Sequence, residues 1–406
     1  MALSRAQDCA DGARADQSTM TFNAFRFQTV PTLVVEFGAA RRLGALLREH
    51  FASLKRIGVI TDGFLHRSGM LAPALESLAA NGWEVTVIDD VIADPPEHIV
   101  LEATALARNA RVELVLGLGG GSSMDVAKLL AVLLGTDQPL QEMYGVGKVR
   151  DARLPLVLIP TTAGTGSEVT AVSIVTTGET TKMGVVSPQL YADLAVLDAE
   201  LTLALPRAAT AATGIDAMVH AIEAYTTARL KNPVSDMLAM RALELLSSHL
   251  LIACDRPDDR DAREAMLLGA MFAGQAFSNA PVAAVHALAY PVGGIFHVAH
   301  GLSNALVLPH VLRFNAPVAA TLYADLARII APAAQGSDEA RSAALIARID
   351  EMMIATGIPR RLREVGVDRT DISRMARDAM LQTRLLVNNP REVTESDAFE
   401  IYSAAF

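Results

Sequence analysis

Gly117-Leu118-Gly119-Gly120-Gly121-Ser122-Ser123-Met124-Asp125 is the stretch on which the fold turns. It closes the apolar, strand-like run 113–117 and opens a helical pattern that carries Lys128. Glycines let the backbone approach a pyrophosphate closely, and a helix N-terminus offers unpaired amide donors at the positive end of its dipole. Ser122 and Ser123 can cap that helix or donate hydrogen bonds. A lone glycine run is equally an ordinary tight turn, but three consecutive glycines at a strand-to-helix junction favour phosphate. Gly119, Gly120, Gly121, Ser122 and Asp125 are therefore candidate cofactor-binding residues. The spacing is not G-x-G-x-x-G with an acidic residue about twenty positions on, so this is not the usual dinucleotide fingerprint.

On either side of this turn, short β-branched runs alternate with longer amphipathic ones. The pattern predicts strands at 31–36, 57–61, 84–88, 113–117 and 155–160, and helices at 39–50, 69–81, 97–110 and 123–134. Such alternation reads as a parallel sheet with crossover helices. A second polar cluster, Pro160-Thr161-Thr162-Ala163-Gly164-Thr165-Gly166-Ser167-Glu168, follows another apolar strand. Its hydroxyls suit either a nucleotide site or a solvated turn. From about residue 203 strand signals almost vanish. Ala- and Leu-rich stretches with three-to-four spacing predict helices at 207–229, 233–254, 261–279, 316–333, 338–356 and 370–384. The expected fold class is an α/β N-terminal nucleotide-binding domain with a parallel sheet (20–203), followed by an all-α metal-binding domain (204–406). Residues 1–19 read as a loose tail, with Met20 a possible start.

The totals narrow the function. A net charge of −10 and the lack of any basic run argue against nucleic acid as the main partner. Cys9 and Cys254 match no metal or redox spacing, which points to a reducing compartment and a cytoplasmic protein. The first nineteen residues lack the apolar stretch of a signal peptide. The longest apolar-looking stretch, 280–296, contains His286, Pro291 and a Gly pair, making it a poor membrane span.

Nine histidines are present, four of them within 286–310. Asp216 and His220, in Gly214-Ile-Asp216-Ala-Met-Val-His220-Ala-Ile-Glu223, are one helical turn apart and can reach one ion. His286, His297 and His300 follow in a second apolar region. On a straight helix His286 and His300 would stand about 21 Å apart. Pro291, Gly293 and Gly294 offer a chain break that would fold them together. A single histidine is more often a core or capping residue. An Asp and three His on apolar helical stretches are harder to explain so, because unpaired buried polar groups are costly. One carboxylate and three imidazoles suit Fe(II), Zn(II) or similar ions.

At these residues the chain resembles the iron-containing, group III alcohol dehydrogenases. The resemblance runs from about residue 28 to the C-terminus, through Phe37-Gly38, Thr61-Asp62, 119–128, 160–168, 214–223 and 286–309. It implies a nicotinamide-binding α/β domain, a helical metal domain and an active site in the cleft between them. It implies Asp216, His220, His286 and His300 as metal ligands, and Gly119, Gly120, Gly121 and Ser122 against the pyrophosphate. Thr161, Thr162 and Thr165 would line the cofactor, with Lys182 near it. Many members have a second histidine at the position of Tyr290, suspected of relaying protons; here His297 is the candidate substitute. Members that reduce maleylacetate usually change the Asp216 position, so its retention favours the metal-using alcohol branch.

The expected reaction is hydride transfer between an alcohol or aldehyde and NAD, with Fe(II), or Zn(II) or Mn(II) in its place, as Lewis acid. Asp62, where the family has an acidic residue near the adenine ribose, favours NAD over NADP; its plain alternative is a turn or helix cap. The competing function is a metal- and NAD-dependent lyase of the dehydroquinate synthase type. That chemistry needs basic residues for a phosphorylated substrate, and the helical half has no Lys beyond Lys231. A nucleotide-binding structural protein would have no need of the four ligands. A small-molecule alcohol or aldehyde is the expected partner, without a membrane, in a homo-oligomer, with a dimer the expected size.

Overall fold

A computed structural model describes residues 24–178 and 181–406. The predicted tail 1–19 and Cys9 lie outside the described residues. Among the described residues nine strands run in chain order as β1 (Leu33–Val35), β2 (Arg56–Asp62), β3 (Glu84–Val91), β4 (Leu114–Gly119), β5 (Gly145–Val146), β6 (Leu156–Pro160), β7 (Val172–Thr177), β8 (Thr181–Val186) and β9 (Leu194–Leu197). Six of them form an all-parallel sheet in the order β1-β9-β6-β4-β2-β3. Its central strands, LVLGLG and LVLIP, are buried throughout, as a sheet covered on both faces requires. Side chains alternate between faces, so Leu114, Leu116 and Leu118 enter one core and Val115 the other.

Helices α1 (Leu43–His50), α2 (Gly63–Arg67) and α3 (Ala72–Ala80) belong to the first face. The opposite face is covered by α4 (Glu97–Asn109) and α5 (Gly121–Gly135). The smaller sheet β5-β8-β7, including the antiparallel hairpin β7–β8, has no counterpart in the sequence expectations. Ser173, Lys182 and Gly184 interrupt the apolar runs of that hairpin.

After β9 come the long helices α6 (Arg207–Thr226), α7 (Pro233–Asp255), α8 (Arg260–Asn279), α9 (Ala284–Phe296), α10 (His300–Ile330) and α11 (Asp338–Thr356). The shorter α12 (Ile372–Ala379), α13 (Thr383–Leu386) and α14 (Glu395–Ala405) close the chain. The core on the α5 face continues through Val169 into Ala211, Ile215 and Met218 of α6, so sheet and helices share one apolar interior. By length and composition α7 and α10 could cross a bilayer, whereas 280–296 is mostly the shorter helix α9. Both long helices pack against α6 and carry ion pairs on outer faces, Arg241 with Glu244 and Arg313 with Asp350.

Candidate metal centre and cofactor cleft

Asp216, His220 and Glu223 stand four and three residues apart on α6, which puts all three on one helix face. His286 enters near the start of α9 and His300 opens α10. One donor atom from each of Asp216, His220, His286 and His300 lies within 4.8 Å of the others. His300 Nε2 is 3.7 Å from Asp216 Oδ1, and His286 Nε2 is 4.0 Å from it. The His220 ring stacks on His286 at 4.7 Å and on Phe277 at 4.3 Å between centroids. Gly301 permits this assembly: a Cβ there would stand 2.5 Å from the Ala212 carbonyl, so only glycine lets α10 start against α6.

Burial sets the protonation of the group. It drives His220 down to about 3 and His300 to about 4, so both rings are neutral and present lone pairs. Burial opposes ionisation of Asp216, but the three imidazoles and the Asn304 amide outweigh it and hold the carboxyl below its ordinary range. Glu223 accepts from Val285 N at 2.7 Å and meets His286 Nδ1 at 2.6 Å, leaving Nε2 for the cluster. Asn304, one turn after His300, donates to Asp216 Oδ1 at 2.5 Å. His220 Nδ1 is buried without a protein partner. An ionised carboxylate and three imidazoles, brought together from three helices, match the donors a divalent first-row ion takes.

Two expectations about this region need correction. Pro291 does not break the chain: α9 runs through it to Phe296. The proline removes only the bond to the Ala287 carbonyl; the neighbouring Leu288 carbonyl also accepts the Tyr402 hydroxyl at 2.6 Å. The reversal falls at 297–299, and the returning chain lies along α9 with the Val298 carbonyl 3.3 Å from where a Gly293 Cβ would be. Gly293 is a docking surface rather than a breaker. His297 is the residue that turns, with φ 55°. It is exposed and does not line the cavity at the cluster, so it is not placed to relay protons there.

That cavity, about 200 Å³, joins the cluster to the C-terminal edge of the sheet. Gly121, Ser122, Asp125, Thr165, Lys182, Tyr290, His220, His286 and His300 all border it. Gly119 ends β4, and Gly120 precedes α5 as an N-cap without a side-chain bond, which leaves the first amides of α5, at Gly121 and Ser122 beside the cavity, without side-chain partners. Gly119 pairs in register with Pro160, and the Thr161 amide donates to its carbonyl at 2.9 Å. Thr162 and Thr165 therefore flank the glycine turn, while Thr161 is buried. Lys182 is buried and paired with Asp94.

Asp125 borders the cavity, but its oxygens are engaged by Ser167 Oγ at 2.6 Å and Ile174 N at 2.9 Å, tying α5 to β7. Asp62 sits at the end of β2 and caps α2 through Leu65 N at 2.9 Å; it does not border the cavity. Glu223, Asn304, Asp94, Phe277, Arg384 and the buried Lys128 carry no role in the sequence reading. Their i+3, i+4 and i+7 spacing from the recognised ligands is the signal that could have found Glu223 and Asn304.

The family model described as iron-containing alcohol dehydrogenase matches residues 31–199, and that described as Fe-containing alcohol dehydrogenase family, C-terminal, matches 210–406. Long-chain-alcohol dehydrogenase 1 of Geobacillus thermodenitrificans is 40% identical over 370 residues, which is 90% of this chain and 91% of that one. The chain belongs to the iron-containing alcohol dehydrogenase family. Its other relatives include the NAD-dependent methanol dehydrogenase of Bacillus methanolicus, 32% identical over 92% of this chain and 98% of that one. A solved 1,3-propanediol oxidoreductase superposes with a TM-score of 0.89 at 32% identity, covering 95% of this chain and all of the other. This iron-containing alcohol dehydrogenase family member is thus an oxidoreductase, and the lyase alternative falls away.

Proposed function

We propose that the protein moves hydride reversibly between a small alcohol and NAD, with Asp216, His220, His286 and His300 holding a divalent ion. The observation that carries this reading is the meeting of four donor atoms within 4.8 Å, the three histidines bordering the same cavity as Gly121 and Ser122 at the uncapped start of α5. The carbinol carbon gives a hydride to the oxidised nicotinamide and the hydroxyl gives a proton to water, leaving aldehyde, NADH and H⁺. When bound, Fe(II), or Zn(II) or Mn(II) in its place, supplies Lewis acidity at the substrate oxygen, and the nicotinamide supplies the hydride chemistry.

The chain's own residues bind and orient. Gly120, Gly121 and Ser122 offer backbone amides to the pyrophosphate, and Thr162 and Thr165 wall the turn. Glu223 fixes the tautomer and angle of His286. Phe277 and Tyr290 exclude water beside the reacting carbons. Burial raises the Tyr290 phenol above its ordinary value, which suits a neutral hydrogen-bonding wall rather than a proton carrier. Asp62, at the end of β2, supports NAD over NADP, since a carboxylate repels a 2′-phosphate. Exposed Leu230, Met237 and Met240 support a homo-oligomer, with a dimer the expected size, and the cysteine usage supports a cytoplasmic setting. The direct test is NADH consumption with a panel of aldehydes: turnover of none contradicts the reading.

A further inference from the structure

Among the described residues, the cavity carries one cation that its own carboxylates do not answer. Lys182 pairs with Asp94, Asp125 lies against Lys128, and Asp216 belongs to the donor cluster. Arg384, on α13, also borders the cavity, and among the described residues it forms no ion pair. Its guanidinium rests 3.5 Å from where a Gly184 Cβ would stand on β8, and close enough to Tyr290 to favour the phenolate, though burial prevails. The side chain is half-buried. A guanidinium is a planar fork that matches a carboxylate through two parallel hydrogen bonds. Half-buried and without an ion-pair partner among the described residues, it is a group for which an anionic ligand compensates lost hydration.

Tyr290 measures the span between the two ends of the cavity. Its ring lies 6.2 Å from that of His300, and its hydroxyl faces Arg384. A ligand with an oxygen at the His300 end and an anionic group at the Arg384 end would lie along the phenol ring. Resting on the dehydrogenase reading above, we infer that Arg384 determines specificity by binding a carboxylate on the far end of a short substrate. The preferred substrates are then aldehydes and alcohols that carry a terminal carboxylate. The diphosphate of the cofactor has the same anionic chemistry, and the arms of the test separate the two.

The test compares kcat/KM for succinate semialdehyde and butanal, which share a four-carbon chain, in the native holoenzyme, R384Q and R384K. The native enzyme prefers the carboxylated aldehyde. R384Q lowers that preference roughly ten- to hundredfold, mainly through KM, and R384K restores part of it. Calorimetric titration of butyrate into the native enzyme with NAD bound gives an independent reading, with binding weakened in R384Q. A native preference for butanal, an unchanged ratio in R384Q, or a rise confined to the KM for NADH overturns the proposal while the dehydrogenase reading stands. Turnover of neither aldehyde overturns the proposal, and the dehydrogenase reading falls with it only when the wider aldehyde panel is also refused.

Discussion

Tyr290 stands one turn after His286, where the phenol meets the cavity between His300 and Arg384. A phenol raised by burial exchanges protons poorly at neutral pH, so Tyr290→Phe should cost under about tenfold in turnover, or about 1.4 kcal/mol. A collapse of several orders of magnitude, with metal and cofactor still bound, would make the phenol an essential acid. Glu223 acts on the cluster through His286 Nδ1. Glu223→Gln should weaken metal affinity roughly ten- to hundredfold in chelator competition, because a fixed tautomer and ring angle are lost. Unchanged affinity would reduce Glu223 to packing. Asp216 and His220 were legible from their helical spacing, and three histidines crowding a short apolar region marked the rest of the site. The choice of His286 and His300 among them came from the family resemblance. Arg384 was not legible, since nothing local marks which arginine a distant turn will bring to a cavity. His297 looked equivalent to its neighbours in sequence; only the left-handed turn that exposes it sets it apart.

At the scale of elements, every strand predicted for the main sheet is present, because buried parallel strands write themselves as continuous apolar runs. The short edge partner β9 and the hairpin β7–β8 were missed, and the hairpin's Lys182 reaches the cavity only through tertiary packing. The expected break at Pro291 failed because a proline inside a helix removes one bond, here that to the Ala287 carbonyl, and the rest of α9 continues through it to Phe296. Asp62 is a helix cap in the structure, which does not decide its role toward the ribose. Asp62→Ser separates the two, since serine also caps but carries no charge. The ratio of catalytic efficiencies with NAD and NADP should shift toward NADP while the melting temperature stays close to that of the parent. An unchanged ratio would leave the residue a cap alone.

Across the whole molecule, the two halves share a core, and the cavity lies where the sheet's C-terminal edge faces the donor cluster. The buried imidazoles tie stability to pH. In the folded, metal-free protein His300 and His310 take up protons only near pH 4 and His220 near 3, burial being the main cause, against an ordinary value of 6.5. Between pH 6.5 and 4 the unfolded chain therefore binds more protons at these three imidazoles. Glu168, pushed up by burial to about 7, and Asp125, also raised, oppose them in part, and the imidazoles' excess loses stability as the pH falls through that window. Thermal melts of chelator-treated protein should show a falling midpoint across it, and a flat midpoint would contradict the neutral, buried assignment.

The central claim is that Asp216, His220, His286 and His300 hold an ion without which hydride transfer stops. Metal content and aldehyde-dependent NADH oxidation, followed together through chelation, metal return and His220→Ala, test it most directly. The account predicts that chelation abolishes activity and that one of Fe(II), Zn(II) or Mn(II) restores it. His220→Ala should lose most of its metal, since one of four ligands is gone. Full activity in protein shown to be metal-free would contradict the account at its base.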